Sequence, residues 1–124
     1  MLTLEQFKAA RATLRGVIRT TSLIHSPALS KACGNQVYLK PENMQVTGAY
    51  KIRGAYYKIS TLSEEEKSRG LITASAGNHA QGLAYAAQAA GVPATIVMPT
   101  TTPLVKVNNT KDYGARVILH GEVF

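Results

Sequence analysis

The amine of Lys51 is the first side chain in the sequence that could react. It lies in TGAYKIRGAY, directly after the aromatic ring of Tyr50. Thr47 and Gly48 predict a helix start just before it, where the positive end of the helix dipole disfavours an ammonium group. A lysine of pKa near 10.4 needs a drop of about three units, or about 4 kcal/mol, for a substantial fraction of it to be neutral at pH 7. The dipole supplies only about 0.3 to 1 kcal/mol, so a nucleophilic Lys51 also requires burial. An ordinary solvated lysine on a helix face is the alternative.

A second stretch, SAGNHAQG, predicts an anion site. It places Ser75, Gly77, Asn78 and His79 in the turn between an apolar segment and a helix. The free backbone N–H groups at a helix start, together with the helix dipole, favour a bound carboxylate or phosphate. Simple capping is the alternative, because Ser75 or Asn78 could accept hydrogen bonds from those same N–H groups. The residues alone leave both interpretations open.

Two other chemistries fit the residues poorly. Ser75 and His79 could suggest a serine nucleophile and its base, but the turn lacks the Gly-x-Ser-x-Gly pattern of a nucleophile elbow. The three histidines, His25, His79 and His120, lie far apart, with no cysteine pair beside them. Because metal sites need clustered ligands, we predict no metal site.

Composition and charge indicate one modest globular domain with an anionic ligand. The chain has 124 residues, 45% of them apolar, and a formal net charge of +7. That charge suits nucleic acid, anionic lipid or a phosphorylated cofactor. The basic residues are scattered rather than clustered, which disfavours nucleic acid, and no stretch approaches membrane-spanning length. The single cysteine, Cys33, is expected to be a small buried residue and fits a reducing compartment. We therefore predict a cytoplasmic protein with no nucleic-acid or membrane partner.

The first 45 residues predict two helices and a strand. Thr3 and Gln6 form a capping box, and an apolar stripe extends it into a helix over residues 4–18. SPALSKACG predicts a short helix, with a capping serine, a proline at its first position and a glycine at its end. QVYLKPE predicts a strand that ends at its proline.

From residue 50 onward, the pattern predicts an α/β fold. Helices are expected over residues 50–60, 63–69, 79–90 and 102–112, and strands at LITAS, ATIVMP and RVILHG. Short apolar strands separated by helices require crossover connections and a parallel sheet with helices on both faces. Ligands of such sheets bind beyond the carboxyl ends of the strands. SAGNHAQG lies at one such end and PTTTP at the next.

Two motifs together carry a resemblance to a known family. KPENMQVTGAYKIRGA, followed by TASAGNHAQGLAYAAQAAGVPATIVMP, resembles the N-terminal part of the pyridoxal-phosphate enzymes of the tryptophan-synthase β-like fold, and most closely the threonine ammonia-lyases, or threonine dehydratases. The resemblance runs along nearly the whole chain. It implies a lyase of amino-acid metabolism that uses pyridoxal 5′-phosphate to convert L-threonine or L-serine into a 2-oxo acid and ammonia by α,β-elimination.

The resemblance also implies roles for individual residues. Lys51 is the expected Schiff-base lysine, and Tyr50 packs near the cofactor. Asn78 is expected to hydrogen-bond the cofactor 3′-oxygen, and Ser75 and the turn from Gly77 to His79 to hold the substrate carboxylate. The related serine racemases carry a serine in this turn where this chain has Ala76, which favours elimination over racemisation.

What the chain lacks sets the remaining expectations. The family also uses a glycine-rich loop for the cofactor phosphate and a polar residue for the pyridine nitrogen, whereas no two glycines are adjacent here. By resemblance, residues 1–65 open the larger domain and residues 66–124 form most of the smaller one. We expect the isolated chain to be inactive and the full-length form to be a homo-oligomer. A racemase, a non-catalytic α/β binding module and a basic nucleic-acid binder remain as alternatives.

Overall fold

The computed structural model describes residues 1–123, which fold into six helices and five strands joined by short turns. The helices are α1 (Leu4–Thr13), α2 (Pro27–Cys33), α3 (Lys51–Ser60), α4 (Glu64–Ser68), α5 (Asn78–Ala90) and α6 (Leu104–Asp112). The strands are β1 (Ile24–His25), β2 (Tyr38–Leu39), β3 (Leu71–Ala74), β4 (Ala94–Met98) and β5 (Arg116–Leu119). A single 3-10 turn, Glu42–Met44, precedes α3.

The first half of the chain is built from local signals and one short strand pair. The Thr3–Gln6 capping box starts α1, and Ser26 caps α2, which ends at Gly34 in the left-handed conformation. Strands β1 and β2 then pair antiparallel over two residues each. None of α1, α2, β1 and β2 contains a fully buried residue.

The second half of the chain contains the predicted parallel sheet. Its strand order is β3-β4-β5, with Thr73 opposite Ile96 and Ile96 opposite Val117. Helices α5 and α6 connect consecutive strands, as the alternating pattern predicts. The predicted α/β class with a parallel sheet is confirmed.

One hydrophobic core joins the sheet to its helices. Ile96 and Met98 of the central strand pack with small residues of α5, with Val107 of α6, and with Ala55 and Ile59 of α3. The core therefore lies on one face of the sheet. The opposite face carries residues that stay exposed or half-buried within residues 1–123: Ile72, Ala74, Thr95, Val97, Arg116 and Ile118.

Some local predictions were wrong, and each error has a physical reason. Helix α1 ends at Thr13 rather than residue 18, because single turns follow Leu14 and Gly16 takes a φ of 83°. Strand β1 was not predicted, since two residues become a strand only by pairing with β2. Cys33 is exposed rather than buried. The domain boundary near residue 65 remains a prediction, although α3 packs into the same core as α5.

Candidate active site

Lys51 is the first residue of α3, and a tight turn positions it. The Gly48 N–H donates to the Gln45 carbonyl at 2.9 Å, and Gly48 has a φ of 70°, which glycine adopts without strain. The Lys51 side chain is exposed, and its Nζ lies 5.3 Å from the centre of the Tyr50 ring. Burial, which the sequence argument required for a nucleophilic amine, is not provided by residues 1–123.

A glycine on α5 sets the close approach between α5 and Lys51. A Cβ atom added at Gly82 would lie 3.0 Å from the Ile52 backbone nitrogen and 3.2 Å from Lys51 Cβ. Only a residue without a side chain fits this contact without displacing the helices. Gly82 lies four residues after Asn78, so the two share one face of α5, one turn apart. The packing therefore brings Lys51 to within about one helical turn of the start of α5.

The start of α5 has no side-chain cap within residues 1–123. Ser75 extends the sheet, because its N–H donates to the Val97 carbonyl at 3.0 Å. Its hydroxyl accepts from the Gly77 N–H at 3.3 Å, one residue short of the helix. The first-turn N–H groups of α5 are thus left without an intramolecular side-chain acceptor. Of the two interpretations of SAGNHAQG, this geometry favours anion binding over simple capping.

The polar side chains of the turn point to solvent. Asn78 and His79 are exposed, and Ser75 and Gly77 are half-buried. No hydrogen bond joins Ser75 to His79 in the described part of the chain, so the structure offers no serine–histidine nucleophile there. Residues 1–123 also contain no group of three His, Cys, Asp or Glu side chains placed to hold a metal ion.

A side-chain network that the sequence analysis missed braces the segment before Lys51. Arg53 donates from Nε and Nη2 to the two carboxylate oxygens of Glu42, both at 2.8 Å. The Thr21 hydroxyl donates to Glu42 Oε1 at 2.7 Å, and Lys40 Nζ donates to the Thr21 carbonyl. The Arg53 hydrogen bonds, with smaller contributions from Thr21 and Lys40, lower the pKa of Glu42 to about 2.

Gln45 ties the same segment to the chain before β1. The Arg19 N–H donates to Gln45 Oε1 at 2.7 Å, and Gln45 Nε2 donates back to the Arg19 carbonyl at 2.8 Å. Gln45 is almost fully buried. These partners are 26 residues apart, so no local pattern predicts the pairing; only the buried polar position itself gives a signal.

Lys51 and Asn78 lie on an exposed surface within residues 1–123. A cavity of about 640 Å³ lies between α1 and α3, lined among others by Arg11, Leu14 and Tyr57. Lys51 and Asn78 do not line it. Within residues 1–123, no helix is both long and apolar enough to cross a bilayer.

Comparison with known proteins identifies relatives of this chain. The family described as pyridoxal-phosphate dependent enzyme matches residues 14–124. The L-threonine ammonia-lyase of Thermotoga maritima is 56% identical over 124 residues, which are all of this chain and 31% of that protein.

Solved structures show the same relationship. A serine racemase from Dictyostelium discoideum has a TM-score of 0.89 at 38% identity, covering 97% of this chain and 40% of that one. Threonine deaminase isoform 2 from Solanum lycopersicum has a TM-score of 0.81 at 40% identity, and the match covers 99% of this chain and 35% of that one. The chain therefore spans about a third of the length of the relatives that it matches.

Proposed function

Because the chain belongs to the pyridoxal-phosphate dependent enzymes, we propose that it forms the N-terminal part of a threonine ammonia-lyase. The observation that carries this proposal is the 56% identity to an L-threonine ammonia-lyase over the whole chain. In this proposal the substrate is L-threonine or L-serine, and the products are a 2-oxo acid and ammonia. Threonine first loses water, and water then returns as ammonia leaves, so the net products of threonine are 2-oxobutanoate and ammonia.

The residues of the candidate site fit pyridoxal phosphate in chemical type. Lys51 offers a primary amine for the cofactor aldehyde, and the Asn78 amide can hydrogen-bond an oxygen of the ring. The uncapped N–H groups of α5, beside Ser75 and Gly77, suit the carboxylate of an amino acid. When bound, the cofactor supplies an electron-withdrawing ring that accepts the electron pair left by a broken Cα–H bond.

Each protein group has one task in this proposal. The carboxylate site and Asn78 would fix the orientation of the substrate, so that its Cα–H bond is presented to the Lys51 amine. The Lys51 amine, which lies about one helical turn from the start of α5, takes the α-proton at Nζ. Tyr50 faces the Lys51 amine with its ring, whose centre lies 5.3 Å from Nζ. His79 contributes its backbone N–H to the carboxylate site.

We further propose that the 124-residue chain does not catalyse the reaction alone. Lys51 and Asn78 are exposed, so water has free access to the place where a proton would be moved. No pair of adjacent glycines is available to hold the cofactor phosphate. Steady production of 2-oxobutanoate from threonine by this chain would overturn the proposal of inactivity.

Covalent trapping tests the assignment of Lys51. The chain is mixed with pyridoxal phosphate, reduced with borohydride and mapped by peptide mass spectrometry, and the reduced adduct is expected mainly on Lys51. Lys58 is the matched control, because it is an exposed lysine on the same helix. Lys51→Ala is expected to abolish the preferred adduct, and Lys58→Ala to leave it. An adduct spread evenly over the lysines would contradict the assignment.

A serine racemase is the alternative function, and one structural comparison favours it. The TM-score to the racemase from Dictyostelium discoideum is 0.89, slightly above the 0.81 of the tomato deaminase. Racemisation needs an acid–base group on each side of the reacting carbon, and Ala76 offers none from the turn. The full-length protein distinguishes the two functions, since a racemase would release D-serine from L-serine whereas a lyase would release pyruvate.

A further inference from the structure

The network around Glu42 joins three segments at the base of α3. Arg53 is on α3, two residues after Lys51, and Glu42 is in the 3-10 turn, 11 residues before Arg53. Thr21, a further 21 residues back, supplies the third hydrogen bond to the same carboxylate. The exposed fractions of the Glu42 and Arg53 side chains are only 16% and 31%, so this ion pair is largely shielded from solvent.

Lys51 has no such anchor of its own. Within residues 1–123, its Nζ takes part in no hydrogen bond or ion pair, and its recorded partner is the Tyr50 ring. The direction of its side chain therefore depends on its backbone. Gly82 limits that backbone on one side of α3, and the two-point bond from Arg53 to Glu42 ties the first turn of the helix to the preceding segment. A two-point arginine–carboxylate bond fixes orientation as well as distance.

We propose that Glu42 is a positioning residue for Lys51, acting through Arg53. This inference rests on the proposed function, because it assumes that the Lys51 amine must meet a cofactor aldehyde. Glu42 holds the first turn of α3 in one orientation, and the Lys51 amine consequently leaves the helix on the side where α5 begins.

Charge and position make opposite predictions for the loss of this carboxylate. Removing one negative charge leaves the charges of Arg53 and Lys40 uncompensated, which attracts the anionic phosphate of the cofactor to this part of the surface. If Glu42 acted by charge alone, Glu42→Gln would thus react faster at Lys51. If Glu42 acts by position, the same variant reacts more slowly there and loses its preference over other lysines.

The experiment measures where and how fast the chain captures pyridoxal phosphate. The amine adds to the aldehyde carbon, water leaves, and borohydride delivers a hydride to the resulting carbon–nitrogen double bond, which fixes the label as a secondary amine. Samples quenched over time and mapped by mass spectrometry give a rate for each lysine. Lys58 on the same helix reports any general loosening of α3.

Glu42→Gln is compared with Glu65→Gln, which makes the same change at an exposed carboxylate 3.9 Å from Arg69. We expect the rate at Lys51 to fall by about fivefold or more in Glu42→Gln, since small misplacements are costly to reacting pairs. The rates at Lys58 and in Glu65→Gln should stay at the wild-type values. Thermal melting is recorded for each variant. If Glu42→Gln fails to fold, Thr21→Val replaces it, because this substitution removes one hydrogen bond from Glu42 at nearly constant volume. A smaller fall in the reaction rate at Lys51 is then expected.

The outcomes separate this inference from the proposed function. A wild-type preference for Lys51 that is lost in Glu42→Gln, or reduced in Thr21→Val, supports both. A preference that persists or increases in folded Glu42→Gln overturns the positioning role and leaves the proposed function standing. A wild-type chain with no preference for Lys51 overturns the assignment of Lys51 and, with it, the positioning role. Equal slowing at Lys51 and Lys58 also overturns the positioning role, because it indicates general loosening.

Discussion

The two halves of this molecule are held together by different interactions. The main cluster of the hydrophobic core lies at or after Ala55, on α3, α5, α6 and the parallel sheet, and only three buried apolar residues within residues 1–123 precede it: Leu14, Ala49 and Ile52. The segment before Lys51 is instead tied down by polar side chains, chiefly Glu42 and Gln45, which reach partners across 11 to 26 residues. Apolar burial tolerates many sequences of similar volume, whereas hydrogen-bond pairs need particular partners. The candidate lysine lies at the boundary between the two.

The largest expected loss of stability comes from the core. Ile96 is fully buried in the central strand, so Ile96→Ala is expected to reduce the free energy of unfolding by about 3 kcal/mol, through lost burial and the cavity left behind. Urea denaturation at pH 7 measures this. The control is Ile72→Ala on the open face, where 75% of the side chain is exposed and a change within about 0.5 kcal/mol is expected. Similar losses at both sites would refute a one-sided core.

The next largest loss tests the polar half. Glu42→Gln is expected to cost about 2 kcal/mol at pH 7, because a charged hydrogen-bond acceptor for Arg53 is lost. The sign of the pH effect follows from the lowered pKa of Glu42, about 2 in the folded protein. Its stabilisation is complete above the unfolded pKa of about 4.3 and disappears as the pH falls toward 2. Urea titrations should therefore show that the difference in the free energy of unfolding between wild type and variant decreases as the pH falls from about 5 to about 2. A constant gap would show that the carboxylate charge is not responsible.

The third prediction concerns the boundary between the halves. Gly82→Ala gains about 0.5 to 1 kcal/mol of helix propensity but meets Ile52 and Lys51 at 3.0 to 3.2 Å, an overpacking that costs about 1 to 3 kcal/mol. We expect a net loss of about 1 kcal/mol. Gly54→Ala is the matched control, because nothing lies within 4 Å of a Cβ there, and it should stabilise α3. If both substitutions stabilise the protein, the helices can separate freely.

The smallest effect is expected at the N-terminus. Thr3→Ala removes the capping box of α1, a loss of about 1 kcal/mol to the helix itself. Since α1 contributes no buried residue, hydrogen exchange should accelerate in α1 while the midpoint of global unfolding stays unchanged. A clear shift of that midpoint would mean that α1 belongs to the same cooperative unit as the core.

The sequence predicted the features that local chemistry decides. The Thr3 capping box, the Ser26 cap and the end of α2 at Gly34 all lie where the residue types place them. The parallel sheet followed from the alternation of its segments.

Features that depend on distant partners could not be predicted in this way. Strand β1 exists only through β2, and the Glu42–Arg53 bond joins charges that no helical spacing relates. The contact of Gly82 with Lys51 depends on how two helices cross. The motifs name the candidate residues and an anion site, which remain predictions, whereas the hydrogen-bond network around Glu42 could be found only from the structure.

The open face of the sheet is expected to influence the solubility of the protein. Ala74, Val97 and Ile118 form an apolar strip across its three strands, and Ile72 lies in the adjacent row with Thr95 and the charged Arg116. Such strips promote association, and the net charge of +7 opposes it by mutual repulsion. Added salt shortens the range of that repulsion to about 10 Å at 0.1 M. The solubility of this chain should consequently fall as the ionic strength rises, and light scattering across a salt series would follow it directly.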